Sequence, residues 1–187
     1  MSDFTSLANH FLIAMPTLAD PHFHHTVTYI CEHTPEGAMG IVINRTLPIT
    51  LGEVIKQMKI NPSRQLDITV PVHEGGPVRR EHGFVLHSPA GAWETSLVIN
   101  DGIALTTSLD ILSAIAHQEG PRRYLIALGY AGWGEGQLEQ EMAQNSWLNG
   151  PADAAILFDT PLEQRWQAAA ALLGVDLGLL SSEVGHA

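Results

Sequence analysis

Cysteine is almost missing from this chain, with one thiol in 187 residues. A lone cysteine closes no internal disulfide, so nothing in the sequence requires an oxidising compartment. Positive charge is scarce too: 9 Lys and Arg stand against 20 Asp and Glu, a formal net charge of −11. Such a balance repels nucleic-acid phosphate unless a local patch overrides it, and the basic doublets are Arg79-Arg80 and Arg122-Arg123. Direct DNA binding is not expected. Apolar runs such as 168–173 fall far short of the roughly 18 residues of a membrane span, so no membrane association is expected. Met1-Ser2-Asp3-Phe4 lacks the basic start and apolar run of a secretory signal, and the expected home is the cytosol.

What is present is the composition of a globular domain. Hydrophobic residues make up 45% and charged residues 16%, enough to bury a sizeable core without metals or disulfides. Neither repeats nor linker-like segments divide the chain, so residues 1–187 read as one domain. Apolar or β-branched runs at 10–15, 26–32 and 38–44 read as three strands. Thr50 and Glu53 form a capping box that starts a helix running to about Lys59. Strands are expected at 68–73, 83–87 and 97–99. A helix follows, capped by Thr107 or Ser108, with Leu109, Leu112, Ile115 and Ala116 on its buried face.

Further on, 124–128 reads as a strand, 129–136 as a glycine-rich turn, 137–148 as a helix and 154–158 as a last strand. Thr160, Pro161 and Glu163 announce a closing helix that buries Leu162, Trp166, Ala169, Leu172 and Leu173. Strands dominate early and alternate with helices later, which predicts an α+β fold with a mixed sheet.

Three groups of residues attract chemical interest. His22, His24 and His25 could share a metal, but no further ligand completes a site, and an exposed polar loop is the plainer reading. No metal or other cofactor is expected. Cys31 and His33 lie two apart on a strand, where side chains share a face, so the imidazole could activate the thiol. Against this, cysteine is among the most buried residue types and Glu32 would raise a thiol pKa. The glycine-rich run 129–136 sits between strand and helix, the setting of a phosphate-binding loop. It lacks the P-loop Lys-Ser/Thr and the GxGxxG register, and Glu135, Glu139 and Glu141 would repel phosphate. Arg45 is a candidate anion contact, and Tyr130, Trp133 and Trp147 are candidate partner-binding aromatics.

Several ordered motifs resemble the bacterial YqgE/AlgH family. They are Leu12-Ile13-Ala14-Met15-Pro16, Tyr29-Ile30-Cys31-Glu32-His33, Gly37-Ala38-Met39-Gly40 continuing to Asn44-Arg45, Gly75-Gly76-Pro77-Val78 and Gly83-Phe84-Val85-Leu86-His87. Leu128-Gly129-Tyr130-Ala131-Gly132-Trp133, Gly136-Gln137-Leu138-Glu139, Asn145-Ser146-Trp147-Leu148 and Gly185-His186-Ala187 complete the set. The histidine trio is outside it. The resemblance implies an α+β fold built on a complex, bifurcated mixed β-sheet flanked by helices. It implies no catalytic residues, and some relatives carry the label of transcriptional regulator.

The polar and aromatic motif positions Asn44, Arg45, His87, Tyr130, Trp133 and Asn145, with Cys31 and His33, form the expected ligand or partner patch. The leading expectation is a non-enzymatic domain that binds a protein or small ligand and influences gene expression indirectly. Its rivals are a hydrolase-like or thiol-dependent enzyme using Cys31 and His33, and a direct transcriptional regulator.

Overall fold

The computed structural model describes residues 4–184, with side chains through Leu180. The motif Gly185-His186-Ala187 lies outside the described residues. Chain order runs β1 (His10–Ala14), β2 (Val27–Thr34), β3 (Gly37–Val42), β4 (Thr46–Thr50), α1 (Leu51–Gln57), β5 (Pro71–Glu74), β6 (Val78–Ser88), β7 (Ser96–Val98) and β8 (Ala104–Thr106). Then follow α2 (Leu109–Ala116), β9 (Arg123–Trp133), α3 (Gln137–Ala143), β10 (Trp147–Pro151), α4 (Ala154–Phe158), a 3-10 turn at Leu162–Gln164, α5 (Arg165–Ala171) and α6 (Leu177–Val184). The α+β expectation holds.

The main sheet has the order β10-β1-β2-β3-β9-β6-β8-β7. Strand β9 is its hinge: Ala131, Gly132 and Trp133 pair with β3, while 123–130 pair with β6 on the other edge. Beside β3, the same strand also takes β5 in parallel, and β5 carries β4. The sheet therefore forks at β9, and this one parallel pairing makes it mixed.

Three apolar clusters follow from the strand alternation. Phe11, Tyr29, Cys31, Ile41, Phe84 and Leu86 face a central core closed by residues of α4, α5 and α6. Val72, Val85 and Ile126 face the other way, onto α1 and α2. Leu12, Ile30 and Ala131 face Leu138 of α3 and the indoles of Trp133 and Trp147.

The capping box at Thr50 and Glu53 forms as expected, with both reciprocal bonds present. Several other expectations need correction. The glycine-rich segment is a turn only in its second half: β9 runs on through Trp133, so the backbone of 131–133 is taken up by the ladder to β3, and Gly134, Glu135 and Gly136 alone make the turn into α3. Helix α3 stops at Ala143, because Asn145 turns left-handed (φ 58°) and Trp147 begins β10 against β1.

The run Ala154–Phe158 is a helix, capped by the Asp153 carboxylate accepting from the Ile156 N–H. Thr160 caps nothing downstream; its hydroxyl bonds the Ala155 carbonyl, and the segment enters α5 through the 3-10 turn. On α2 the buried face includes Ile111 while Leu109 is exposed, and on the α5 side Leu172 and Leu173 are exposed.

Candidate functional site

Cys31 and His33 do not meet. Between Ile30 and Glu32 the β2–β3 register slips by one residue, a β-bulge at Cys31 that reverses the alternation of side chains. Cys31 stays in the central core, 3% exposed, its Sγ 3.7 Å from the Tyr29 carbonyl. Burial, then the Glu32 charge, pushes its thiol pKa far up, the reverse of what a nucleophile needs. His33 turns to the α3 side. Its Nδ1 accepts from the Leu7 N–H at 2.9 Å, which leaves Nε2 to donate to Glu139 Oε1 at 2.7 Å. Burial works to raise the Glu139 carboxyl, but its own backbone N–H and the His33 bond outweigh that and hold it below its ordinary value.

Asn44 and Arg45 anchor the histidine loop. Asn44 Oδ1 accepts from the Val27 N–H and its amide donates to the His25 carbonyl. The Arg45 guanidinium donates to the carbonyls of Pro21, His22 and His24, each at 2.8 Å. His24, His25 and Trp166 then stack, with successive centroids 3.8 and 4.0 Å apart. Among the described residues no three His, Cys, Asp or Glu side chains gather closely enough to hold a metal.

His87 is fully buried between β6 and β8. With Nδ1 on the Pro89 carbonyl at 3.0 Å, its Nε2 accepts from Thr106 Oγ1 at 2.7 Å. Burial lowers its pKa, although the Pro89 carbonyl opposes this. The basic doublets occupy opposite ends of the β6–β9 ladder, as Val78 faces Tyr130 at one end and Ser88 faces Arg123 at the other. Arg123 is further paired with Asp159 at 2.9 Å.

What the fold does assemble is a cleft over the forked end of β9. Tyr130, Gly132 and Trp133 form its floor, Ala38 and Met39 of β3 one wall, and Val78, Arg79, His82, Gly83 and Phe84 of β6 the other, around a space of about 780 Å3. The wall bulges outward because Val78 and Gly83 pair with Tyr130 and Leu128, so 79–82 loop out of the ladder. Closely packed backbone fixes the fork: Gly76 (φ 155°) lies against the Tyr130 carbonyl, where any Cβ would overlap. The rings of Tyr130 and Phe84 meet edge to face at 5.7 Å. Of the residues anticipated from sequence, Tyr130 and Trp133 reach this cleft; Asn44, Arg45, His87 and Asn145 do not line it. Arg79 and His82 were missed as cleft residues because only the loop-out brings them here.

The sequence from 11 to 178 matches the AlgH-like family. The chain belongs to that family. Among similar curated proteins, a UPF0301 protein of Thioalkalivibrio sulfidiphilus is 57% identical over the full length of both chains. Another, from Nitrosococcus oceani, is 58% identical over 96% of each.

The solution structure of the AlgH protein from Pseudomonas aeruginosa superposes with a TM-score of 0.80 at 49% identity, covering 97% of this chain and 96% of that one. A crystal structure from Corynebacterium diphtheriae, 18% identical, shares the fold with a TM-score of 0.75 over 97% and 94% of the two chains. None of these names states an activity. This AlgH-like chain therefore rests on its own geometry for a functional reading, and no helix among its described residues is long and apolar enough to cross a membrane.

Proposed function

We propose that this AlgH-like protein is a cytosolic binding module, not an enzyme, whose ligand seats in the cleft over β9. The observation that carries this reading is the convergence of β3, β6 and β9 on one open space floored by Tyr130 and Gly132. Its volume lies within the roughly 300–1,000 Å3 of small-molecule sites. The thiol-dependent alternative loses its support with Cys31 sealed in the core and His33 on the opposite face. A regulatory output would run through a partner that senses the occupied cleft, without DNA contact by the four arginines of the doublets.

A cleft-filling variant tests the reading. A Cβ at Gly132 lies 3.3 Å from Tyr130 Cε2 and 3.8 Å from Val78 Cγ2, both cleft residues, so the side chain of Gly132→Leu occupies the cleft. Ligands that bind the native state raise its melting temperature. Size-fractionated small molecules from a bacterial extract should stabilise the wild type and leave Gly132→Leu unmoved. Equal stabilisation of both proteins, or of neither, would overturn the assignment.

A further inference from the structure

We infer that the cleft selects a small organic anion: a flat apolar body on Tyr130 and Phe84, with a phosphate or carboxylate head at Arg79 and His82. This rests on the cleft being a binding site, and it specifies what the site takes.

The first support is charge. Acidic residues outnumber Lys and Arg by 20 to 9 in the chain, yet the cleft lining includes Arg79 and His82 and no Asp or Glu, the intervening Glu81 lining the adjoining groove beside Val54 and Leu112 instead. A concave surface of one sign in a protein of the opposite net charge concentrates ligands complementary to the surface, not to the protein as a whole.

The second is availability. Among the described residues the side chains of Arg79 and His82 make no hydrogen bond or ion pair with the protein, unlike those of Arg45, Arg123 and Arg165. Nor do the Tyr130 and Thr107 hydroxyls. Of the arginines left unpaired in this way, Arg64, Arg79, Arg80 and Arg122, Arg79 is the one that lines the cleft. A guanidinium fork, an imidazole N–H and two hydroxyls thus border one space with no protein group competing for them.

The third is backbone. Arg79 is left-handed, at φ 48°, without being glycine or asparagine. Such conformations are costly for a long side chain and gather at binding sites, where the surrounding structure enforces them. Here the looped-out segment 79–82 enforces it and sets Arg79 on the cleft wall.

The apolar part of the cleft sets the rest of the ligand. Phe84 and Tyr130 present an edge-to-face pair beside Met39 and Val78, and Gly132 puts no side chain on the floor. A planar ring system fits that surface better than a branched or polyhydroxylated one.

The test uses three probes on one scaffold, 2-naphthyl phosphate, 2-naphthoate and the neutral 2-naphthol, titrated into the full chain with amide chemical shifts as readout. Both anions should move the amides of Met39, Gly83, Tyr130 and Gly132 and bind at least about tenfold more tightly than naphthol. Arg79→Gln should remove that advantage, whereas Arg122→Gln, outside the cleft, should keep it. The tighter of the two anions identifies the head group.

If naphthol binds the same amides as tightly, or Arg79→Gln leaves the anions unaffected, the anion assignment fails while the cleft remains a binding site. Absence of binding by all three probes also overturns it. The Gly132→Leu comparison judges the cleft separately.

Discussion

Trp133 and Trp147 share one acceptor: both indole N–H groups donate to Glu141 Oε1, at 3.1 and 3.0 Å. The second carboxylate oxygen accepts from the Gln137 amide at 2.9 Å. Both indoles are buried, and their rings meet edge to face at 6.1 Å. One carboxylate therefore holds together the end of β9, helix α3 and the start of β10. Two of the three aromatic positions that sequence suggests as a partner surface, Trp133 and Trp147, thus form a structural clasp between α3 and the sheet.

Glu141→Ala should accordingly destabilise the fold by about 2–6 kcal/mol, since it strands two indole donors at about 1–3 kcal/mol each. Glu141→Gln, which keeps an acceptor oxygen, should lose less. Urea denaturation of the three proteins measures this. A change below about 0.5 kcal/mol in Glu141→Ala would contradict the clasp.

Cys31 should resist alkylation. Its thiol is buried and its pKa lies far above the ordinary range, so the thiolate is negligible in the folded state. Iodoacetamide labelling at pH 7 to 9 should proceed only at the rate set by opening of the fold and accelerate with urea. Rapid labelling of the native protein with a midpoint below pH 8.5 would restore the thiol-enzyme reading.

Stability should fall in acid through His73. Burial, and then the neighbouring Arg165, depress this imidazole from 6.5 to about 4, and Arg165 Nη1 lies 3.2 Å from its Nε2. Between those values the unfolded chain binds a proton that the native state refuses. Stability therefore rises with pH across that window and is lost as pH drops toward 4. The linkage amounts to about 3 kcal/mol at about 1.4 kcal/mol per pH unit. Urea midpoints of the wild type from pH 4.5 to 7.5 should show this slope, and His73→Gln should flatten part of it. Parallel curves for the two proteins would exclude His73 as the source.

Arg45→Ala should loosen the loop at 20–25 at a cost of about 1 kcal/mol or more, since three carbonyls lose a charged donor. Lysine is not expected to rescue it, because one ammonium cannot reproduce the planar fork. The loss should be visible in Trp166, whose ring stacks on His25 at 4.0 Å. Unchanged tryptophan emission and unchanged amide exchange at 22–26 would show that the loop holds itself.

Local chemistry was legible at several places where neighbours in the chain decide it, though not at Thr160, whose capping signal a bond back to Ala155 overrides. The Thr50–Glu53 capping box and the runs that became β1, β2 and β3 follow from short-range rules, whereas α2 starts after Ser108 without the expected cap, the Ser108 hydroxyl donating to Asp110 instead. The Asp153 cap was present as a signal too, and it decides Ala154–Phe158 in favour of helix over strand, two states that a five-residue apolar run cannot distinguish by period. For Tyr130 and Trp133 the sequence indicated the residues but not their division of labour. Tyr130 lines the cleft with an unengaged hydroxyl, while the Trp133 indole is committed to Glu141.

The sequence by itself determined the α+β class, the apolar periodicity of the core strands, the acidic balance and the scarcity of thiols. Tertiary structure alone decided where those residues meet. A single bulge at Cys31 separates it from His33, the fork at β9 draws a glycine-rich segment into a ladder, and the slip between Val78 and Gly83 pushes Arg79 and His82 to the cleft wall. Each of these depends on strand register, which is set by hydrogen bonding and packing between segments tens of residues apart. A one-residue slip exchanges the faces of every side chain beyond it, so the cleft exists only once that register is chosen.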